Sequence, residues 1–241
     1  MLSISLPIKG AGGGNYYLKL AAEDYYGRAQ EPPGRWFGQG ARILELEGKV
    51  ERSPFLNLLS GLSPDGTTRL VQNAGDKHRQ SAWDLTLSAP KCVSVLWAAA
   101  PVPIREQIEQ AHDRAVDTAL RFLETTAGFS RRGARGESTV PAALAFACFQ
   151  HGTSRAQDPQ LHTHALMLNV GIRADGTTGT VISKAVFERK MVAGAVYQAE
   201  LANQLHRELG LSIVPERVGF HIEEVPKQRG EEFSNRRAAI E

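Results

Sequence analysis

The chain has 241 residues, of which 42% are hydrophobic and 22% charged, which is the ordinary composition of a folded globular protein rather than a disordered one. A formal net charge of +2 neither demands nor excludes a nucleic-acid partner, because a basic groove depends on where the charges lie. No secretory signal or membrane-spanning apolar run is visible, and Cys92 and Cys148 are typical of buried thiols, so we expect one cytoplasmic domain without membrane insertion.

The N-terminal segment predicts a short strand followed by a helix rich in tyrosine. Met1 to Ile8 alternates weakly, as a strand does, and Tyr16 to Tyr26 has a helical pattern that ends at Gly27. Two tyrosine pairs stand on this helix: Tyr16, Tyr17, Tyr25 and Tyr26. Adjacent helix residues diverge by about 100°, so one member of each pair faces away from the other. Packing in the core is one role for these rings, and nucleophilic attack by a phenol near a metal is another.

A loop rich in proline and glycine is predicted from Glu31 to Gly40. Its Arg35 and Trp36 suit phosphate contact and base stacking, although a loop folded over its own aromatic rings is an equal alternative. A short helix is predicted from Glu51 to Leu62 and is followed by a turn.

The run from Trp83 to Trp97 predicts a strand that Pro90 interrupts, followed by a helix. On the strand, Asp84 lies on the opposite face from the apolar residues. Such a carboxylate can orient a metal-bound histidine or accept a proton. The residues alone favour the simpler interpretation, a carboxylate facing solvent on an edge strand.

An amphipathic helix is predicted from Pro103 to Thr126, with His112 interpreted as a surface residue. A basic, flexible loop from Gly128 to Ser138 follows. Its arginines could bind phosphates or simply be solvated; they are Arg131, Arg132 and Arg135.

The next segment predicts a hairpin that carries three histidines. Ala143 to His151 and Leu161 to Val170 are the two strands, joined by turn residues from Gly152 to Pro159. Residues two apart on a strand share a face, so His162 and His164 can bind one ion. An isolated pair of this kind is commonly accidental, but antiparallel pairing brings His151 opposite it. Three imidazoles that leave coordination positions open are typical of a catalytic metal site.

The C-terminal part predicts a long helix from Ala185 to Leu209, capped by Gly210, and then strand-like residues from Leu211 to Glu223. Lys227 to Glu241 is charged and ends without a stop signal. We therefore expect a domain cut from a longer protein.

Several separated motifs together resemble one family. PQLHTH with the upstream His151 looks like the HUH motif of single-strand DNA endonucleases. The tyrosine pairs, the stretch from Gly34 to Val50, DLTLSAPKCVSV, AHDRAV and GAVYQAELA are similar to the MobF class of conjugative relaxases, the TrwC/TraI type. The resemblance covers nearly the whole chain. It implies an α/β (α+β two-layer) fold with a central antiparallel sheet, histidines on central strands and helices packed behind, and a helicase downstream in full-length relatives.

The resemblance also implies an activity, which is metal-dependent nicking and rejoining of single-stranded DNA at an origin of transfer. His151, His162 and His164 would bind a divalent ion, for which Mg, Mn, Zn, Ni and Co are candidates. Tyr16 would form a 5′-phosphotyrosyl link, Asp84 would activate the nucleophile or fix a histidine tautomer, and Tyr25 would serve a second strand transfer. The spacing from Tyr16 to Tyr25 is longer than the family leads us to expect, which favours Tyr16 as the nucleophile.

The expected partner is origin-of-transfer DNA with a hairpin and a nic site, together with relaxosome accessory proteins and a coupling protein, on a monomeric enzyme. The residues expected to contact DNA are Arg35, Trp36, Lys91, Arg131, Arg132, Arg135 and Arg155.

Three other functions stay open at this point. A rolling-circle replication initiator or transposase would keep the chemistry, but its nucleophile usually follows the HUH motif. A zinc hydrolase of small molecules would use the three histidines and a metal-bound water. A DNA-binding module without catalysis would bind the origin and leave it uncut.

Overall fold

The computed structural model describes residues 1–14, 17–18, 32–133, 136–154 and 158–228. The strands are β1 (Leu2–Ile4), β2 (Ile8–Lys9), β3 (Arg35–Phe37), β4 (Gln80–Ser88), β5 (Phe129–Arg132), β6 (Ser138–Pro141), β7 (Phe146–Thr153), β8 (Pro159–Leu168), β9 (Gly171–Ile172), β10 (Thr178–Gly179), β11 (Ile213–Pro215) and β12 (Phe220–Ile222). The α-helices are α1 (Gln39–Ile43), α2 (Arg52–Leu59), α3 (Lys91–Ala99), α4 (Val102–Ala127) and α5 (Ser183–Leu209).

An antiparallel sheet organises these elements, with the strand order β1-β4-β8-β7-β3 and β2 also paired to β4. The predicted histidine hairpin is confirmed as β7 and β8, and β8 is the central strand. Since side chains alternate along a strand, Leu166 and Leu168 point to one face of the sheet and Leu161 and Met167 to the other.

Each face of the sheet has its own hydrophobic core. The long helices α4 and α5 pack together on one face, where Leu120, Leu123 and Tyr197 are fully buried. The other face is covered by α2, through Phe55 and its neighbours. The expected α+β architecture, with a central antiparallel sheet and helices packed behind it, is confirmed.

Two segments predicted as loops are strands. Residues 35–37 form β3, which pairs with β7 through the partners Arg35 and Cys148, because β7 would otherwise have a bare edge. The loop prediction for Glu31 to Gly40 is wrong at these residues: three strand residues between prolines and glycines give too short a pattern to recognise. The predicted loop at Gly128 to Ser138 is likewise a hairpin, built by β5 and β6.

His112 is not the surface residue that the helical pattern indicated. It is fully buried in α4, and the predicted helix boundaries there are otherwise confirmed. Its Nδ1 lies 2.8 Å from the hydroxyl of Tyr197 in α5, and its Nε2 lies 2.9 Å from the hydroxyl of Thr163 in β8. Two hydrogen bonds satisfy the buried imidazole, which is why it can replace an apolar side chain on this face.

Other predictions are confirmed with small changes. Cys92 and Cys148 are both buried and free, Cys92 in α3 and Cys148 in β7. Gly210 ends α5 in the left-handed conformation, at φ 65°. Within the described ranges, none of the helices has the length and apolar character to cross a membrane. The helix predicted from Tyr16 to Tyr26 falls outside the described residues except for Tyr17 and Leu18, and the end of the chain beyond residue 228 does so entirely.

Candidate metal centre

Three histidines meet where β7 ends and β8 begins. His151 pairs directly with His162 across the two strands, and His164 follows on the same face of β8. The ring centroids lie 4.9 Å to 5.4 Å apart, and one ligand atom from each ring can be chosen so that all lie within 4.8 Å of one another. Strand register thus creates the cluster that the sequence pattern predicted.

Hydrogen bonds set the tautomers of two of these rings. The Nδ1–H of His162 donates to the backbone carbonyl of Gln160 at 2.7 Å. The Nδ1–H of His164 donates to Oδ2 of Asp84 at the same distance. With Nδ1 protonated in each ring, Nε2 carries the lone pair, as a metal ligand requires.

Burial keeps two of the histidines neutral, His151 and His162. Desolvation, reinforced by the neighbouring imidazoles, lowers the pKa of His151 to about 3 and that of His162 to about 4. A divalent cation binds the neutral imidazole, so protons do not compete for these ligands near neutral pH. The donor set, three imidazoles of which two have their tautomer set by hydrogen bonds, fits a divalent transition metal.

Asp84 lies in the interior of the sheet and joins the site from β4. It is 7% exposed, and β4 lies between β1 and β8, so the prediction of a solvent-facing carboxylate on an edge strand is wrong. Its Oδ2 accepts hydrogen bonds from His164 and from the hydroxyl of Tyr17, the latter at 3.0 Å. Oδ1 accepts a bond from the Thr86 hydroxyl at 3.3 Å. This network connects a phenol to a candidate metal ligand through one carboxylate.

Tyr17 joins the site, although the spacing of the tyrosines favours Tyr16 as the nucleophile. Its ring is 8% exposed and packs edge-on against His164, with 5.7 Å between the centroids. Its neighbour Tyr16 and the second-pair residue Tyr25 lie outside the described residues. A signal for Tyr17 did exist, because adjacent helix residues face different directions and one member of the pair must therefore turn inward.

Gly152, the residue after His151, packs against the helix behind the sheet. A Cβ atom at position 152 would lie 2.4 Å from the Trp97 ring of α3, so only glycine lets the strand approach so closely. The indole is itself held, since its Nε1–H donates to Glu109 of α4 at 2.7 Å. The orientation of His151 therefore depends on packing behind the sheet.

Two of the residues predicted to contact DNA, Arg35 and Trp36, make contacts within the protein. Trp36 is 8% exposed and packs against Phe55 in the core, so its ring presents no free face for a base. Arg35 forms ion pairs with Asp113 and Asp117, the shorter at 2.5 Å. Both residues therefore hold β3 to the fold.

Lys91 and the arginines of the β5–β6 hairpin are nearer to solvent. Lys91 donates to the backbone carbonyl of Pro159 at 3.0 Å and so holds the start of β8. Arg131 and Arg132 are exposed on β5, and Arg132 pairs with Asp175 at 2.8 Å. Arg135 and Arg155 lie outside the described residues.

Comparison with known proteins gives consistent relatives. The TrwC relaxase family model matches residues 11–241. The multifunctional conjugation protein TraI of Escherichia coli is 36% identical over 253 residues, which cover 100% of this chain and 14% of TraI.

Two solved structures extend the comparison. The metal-bound structure of conjugative relaxase TrwC in complex with oriT DNA has a TM-score of 0.84 and 33% identity, and the match covers 99% of this chain and 81% of that one. TrwC complexed with a 27-mer DNA comprising the recognition hairpin and the cleavage site has a TM-score of 0.77 and 31% identity, with 99% and 80% covered. The predicted resemblance is confirmed: with its three-histidine cluster on a central antiparallel sheet, the chain belongs to the TrwC relaxase family.

Proposed function

We propose that this chain cuts one strand of DNA at a conjugative origin of transfer, holds the cut end on a tyrosine and later rejoins it. The observation that carries the proposal is the cluster of His151, His162 and His164 beside Asp84, in a chain of the TrwC relaxase family. The oriT DNA and the metal named for the TrwC structures support the same substrate and a divalent metal here.

The proposed reaction exchanges one phosphodiester for another. The phenol oxygen of Tyr16 forms a bond to the scissile phosphorus, and the bond from phosphorus to the 3′ oxygen breaks. A base takes the phenol proton, and the departing oxygen gains a proton to become a free 3′-hydroxyl. Because the phosphoester bond is conserved in the 5′-phosphotyrosyl link, the 3′-hydroxyl can attack that link and restore the strand. Tyr25 would accept the second strand at the end of transfer.

Asp84 would act on both the nucleophile and the metal site. The hydrogen bond from Tyr17 supports a carboxylate that this tyrosine pair can reach, where it could accept the phenol proton. The hydrogen bond from His164 would keep that imidazole in the metal-binding tautomer.

His151, His162 and His164 would hold the ion, which when bound supplies Lewis-acid stabilisation of the charge on the phosphate. Imidazole nitrogens suit Zn, Ni, Co or Mn better than Mg, which prefers an octahedron of oxygens. We therefore expect transition metals to bind more tightly than Mg²⁺, even where Mg²⁺ supports activity.

The wider setting is part of the same proposal. The chain would act as a monomeric domain in the cytoplasm, on origin DNA with a hairpin and a nic site, alongside relaxosome accessory proteins and a coupling protein. Phosphate contacts are proposed for Lys91, Arg131, Arg132, Arg135 and Arg155.

The decisive experiment is an adduct assay. Single-stranded oligonucleotides from the origin of transfer are incubated with the protein and Mg²⁺ or Mn²⁺, and a covalent protein–DNA adduct is sought on a denaturing gel. Tyr16→Phe should abolish the adduct. Tyr17→Phe is the matched control, which loses one hydrogen bond to Asp84 and should still form the adduct.

Each other outcome has a definite meaning. An adduct that survives in Tyr16→Phe and disappears in Tyr17→Phe would move the nucleophile to Tyr17. No adduct with any metal, on an oligonucleotide that the protein binds tightly, would overturn the nicking proposal and favour a binding module. Hydrolysis of small substrates that survives Tyr16→Phe but not His162→Ala would favour a hydrolase.

A further inference from the structure

A large cavity lies at the end of the sheet away from the histidines. Its volume is about 760 Å³, and its walls come from β3, α1, the last turns of α4, β5 and β9. Ala143 lines it just before β7 begins at Phe146, and His151 lies five residues further along that strand, roughly 17 Å at ~3.3 Å per residue. The cavity is therefore separate from the metal centre.

Three arginines line this cavity, Arg42, Arg121 and Arg173. Within the described part of the chain none of them forms an ion pair, in contrast to Arg35 and Arg132. Arg173 donates to neutral acceptors, including the carbonyl of Thr178 at 2.7 Å and the hydroxyl of Ser130 at 3.3 Å. Its charge is thus fixed in position without being neutralised.

The acidic groups near the cavity are committed to other partners. Glu124 lines the wall, but its carboxylate accepts hydrogen bonds from the backbone N–H groups of Gln39 at 2.9 Å and Leu144 at 2.8 Å. Asp117, one helical turn before Arg121, is held by Arg35. Three positive groups against one carboxylate leave the cavity with an excess of positive charge.

The remaining wall is apolar and partly aromatic, formed by side chains that include Phe37, Phe129 and Ile172. A concave site of this volume is in the size range that holds a small organic group. Guanidinium groups bind phosphate oxygens in pairs of hydrogen bonds, and aromatic rings stack on bases. The combination is suited to a ligand that is flat and apolar at one end and anionic at the other.

We propose that this cavity binds one unpaired nucleotide of the DNA substrate outside the cleavage site, with its base against Phe129 and the flanking phosphates on Arg42 and Arg121. A concave pocket admits an unstacked base, whereas a duplex presents only its backbone to such a surface. The inference rests on the proposed DNA substrate. It gives the protein a second place, besides the metal centre, at which it contacts the DNA.

The test compares two double variants that lose the same charge. Arg42→Gln with Arg121→Gln removes two exposed guanidiniums at the cavity, and Arg189→Gln with Arg207→Gln removes two exposed ones from α5. All proteins carry Tyr16→Phe and are kept free of metal, so that only binding is measured. Fluorescence anisotropy gives the Kd for a single-stranded origin oligonucleotide over a range of salt concentrations.

The cavity variant should bind at least about tenfold more weakly, and its slope of log Kd against log salt should fall by about 1.4, for two phosphates at about 0.7 each on a single strand. The α5 variant should change the Kd by less than about twofold. Equal behaviour of the two variants would overturn the proposal. An equal loss on fully paired duplex would overturn the placement of an unpaired base.

A second measurement locates the base directly. Oligonucleotides with 5-iodouracil at successive positions are photo-cross-linked and the labelled peptide is identified, with a cross-link to Phe129 or Phe37 expected. Cross-links confined to other segments would overturn the proposal. Both tests are independent of the adduct assay. If the protein binds DNA without nicking it, the cavity variant should still bind that DNA more weakly.

Discussion

At the scale of single residues, Asp84 links a tyrosine to a histidine of the metal centre. One carboxylate oxygen accepts hydrogen bonds from a phenol and from an imidazole, and the side chain is nearly buried. We predict that Asp84→Asn slows adduct formation by about 10²-fold or more, because the amide can neither accept the phenol proton nor stabilise the histidine tautomer as a carboxylate does. Single-turnover rates on the origin oligonucleotide measure the effect.

A matched control for this variant is Asp65→Asn, at an exposed turn. Metal affinity, measured by calorimetry, should fall with Asp84→Asn by about tenfold or more, and should be unaffected by the control. A normal cleavage rate in Asp84→Asn would assign the carboxylate to folding alone.

The three histidines could be predicted from sequence because their geometry is local. Strand alternation and one hairpin turn suffice to bring them together, and both are visible in the chain. The environment of Asp84 could not be predicted in this way, since it depends on which strands flank β4. The same holds for His112, whose partners lie 51 and 85 residues away along the sequence.

At the scale of elements, one glycine sets the distance between a strand and a helix. Gly152→Ala would place a methyl group 2.4 Å from the Trp97 ring, so β7 or α3 must move. We expect a loss of about 1–3 kcal/mol in the free energy of unfolding, together with weaker metal binding because His151 is the preceding residue. Denaturant unfolding and metal titration test the two effects separately.

Gly12→Ala is the comparison variant, since a Cβ at that position meets no atom within 4 Å. The smaller side chain of Trp97→Leu, added to Gly152→Ala, should restore part of the lost metal affinity. If Gly152→Ala binds metal as tightly as the unchanged chain, the contact with α3 does not position His151.

His112 joins three elements through its two hydrogen bonds, and its removal should show how the helical layer is attached to β8. His112→Leu leaves the buried hydroxyls of Thr163 and Tyr197 without this partner, so we predict a loss of about 2–5 kcal/mol in the free energy of unfolding. The triple variant with Thr163→Val and Tyr197→Phe should recover most of that loss, because it removes the unsatisfied groups as well. A triple variant as unstable as the single one would show that packing of the imidazole, and not its hydrogen bonds, dominates.

Long elements could be predicted from sequence more readily than short ones. The helices α4 and α5 and the hairpin β7–β8 have enough residues for a periodic pattern to stand out. The three-residue strand β3 does not, and it exists because β7 offers an unpaired edge. The same limit applies to the arginines. Arg35, predicted to contact DNA, forms ion pairs within the protein. Arg42, Arg121 and Arg173 are brought to one cavity only by the tertiary structure.

At the scale of the whole molecule, the sheet separates two functions. One face carries the metal centre, and the other packs against α4 and α5, so the rigid helical layer supports the histidines from behind. Thr163, between the two histidines of β8, points into that layer, which links the position of the strand to the packing of both helices. Stability and metal affinity are for this reason expected to respond together to conditions that disturb the buried imidazoles.

Acid is such a condition, and the sign of its effect follows from the buried histidines. Burial lowers the pKa of His112 from 6.5 to about 3, so between these values the unfolded chain takes up a proton that the folded chain refuses. Stability should therefore fall as the pH drops below about 6.5 and level off near pH 3, and at pH 5 His112 alone accounts for about 2 kcal/mol. His151 and His162 act in the same direction.

Unfolding by urea at pH 7 and pH 5 measures this dependence. The triple variant at positions 112, 163 and 197 lacks one of the buried histidines, so its stability should fall less over the same interval. A bound metal should raise the stability at both pH values without reducing its dependence on pH, because His151 and His162 are already neutral in the folded chain. A stability that rises on acidification would contradict the buried, neutral state of these imidazoles.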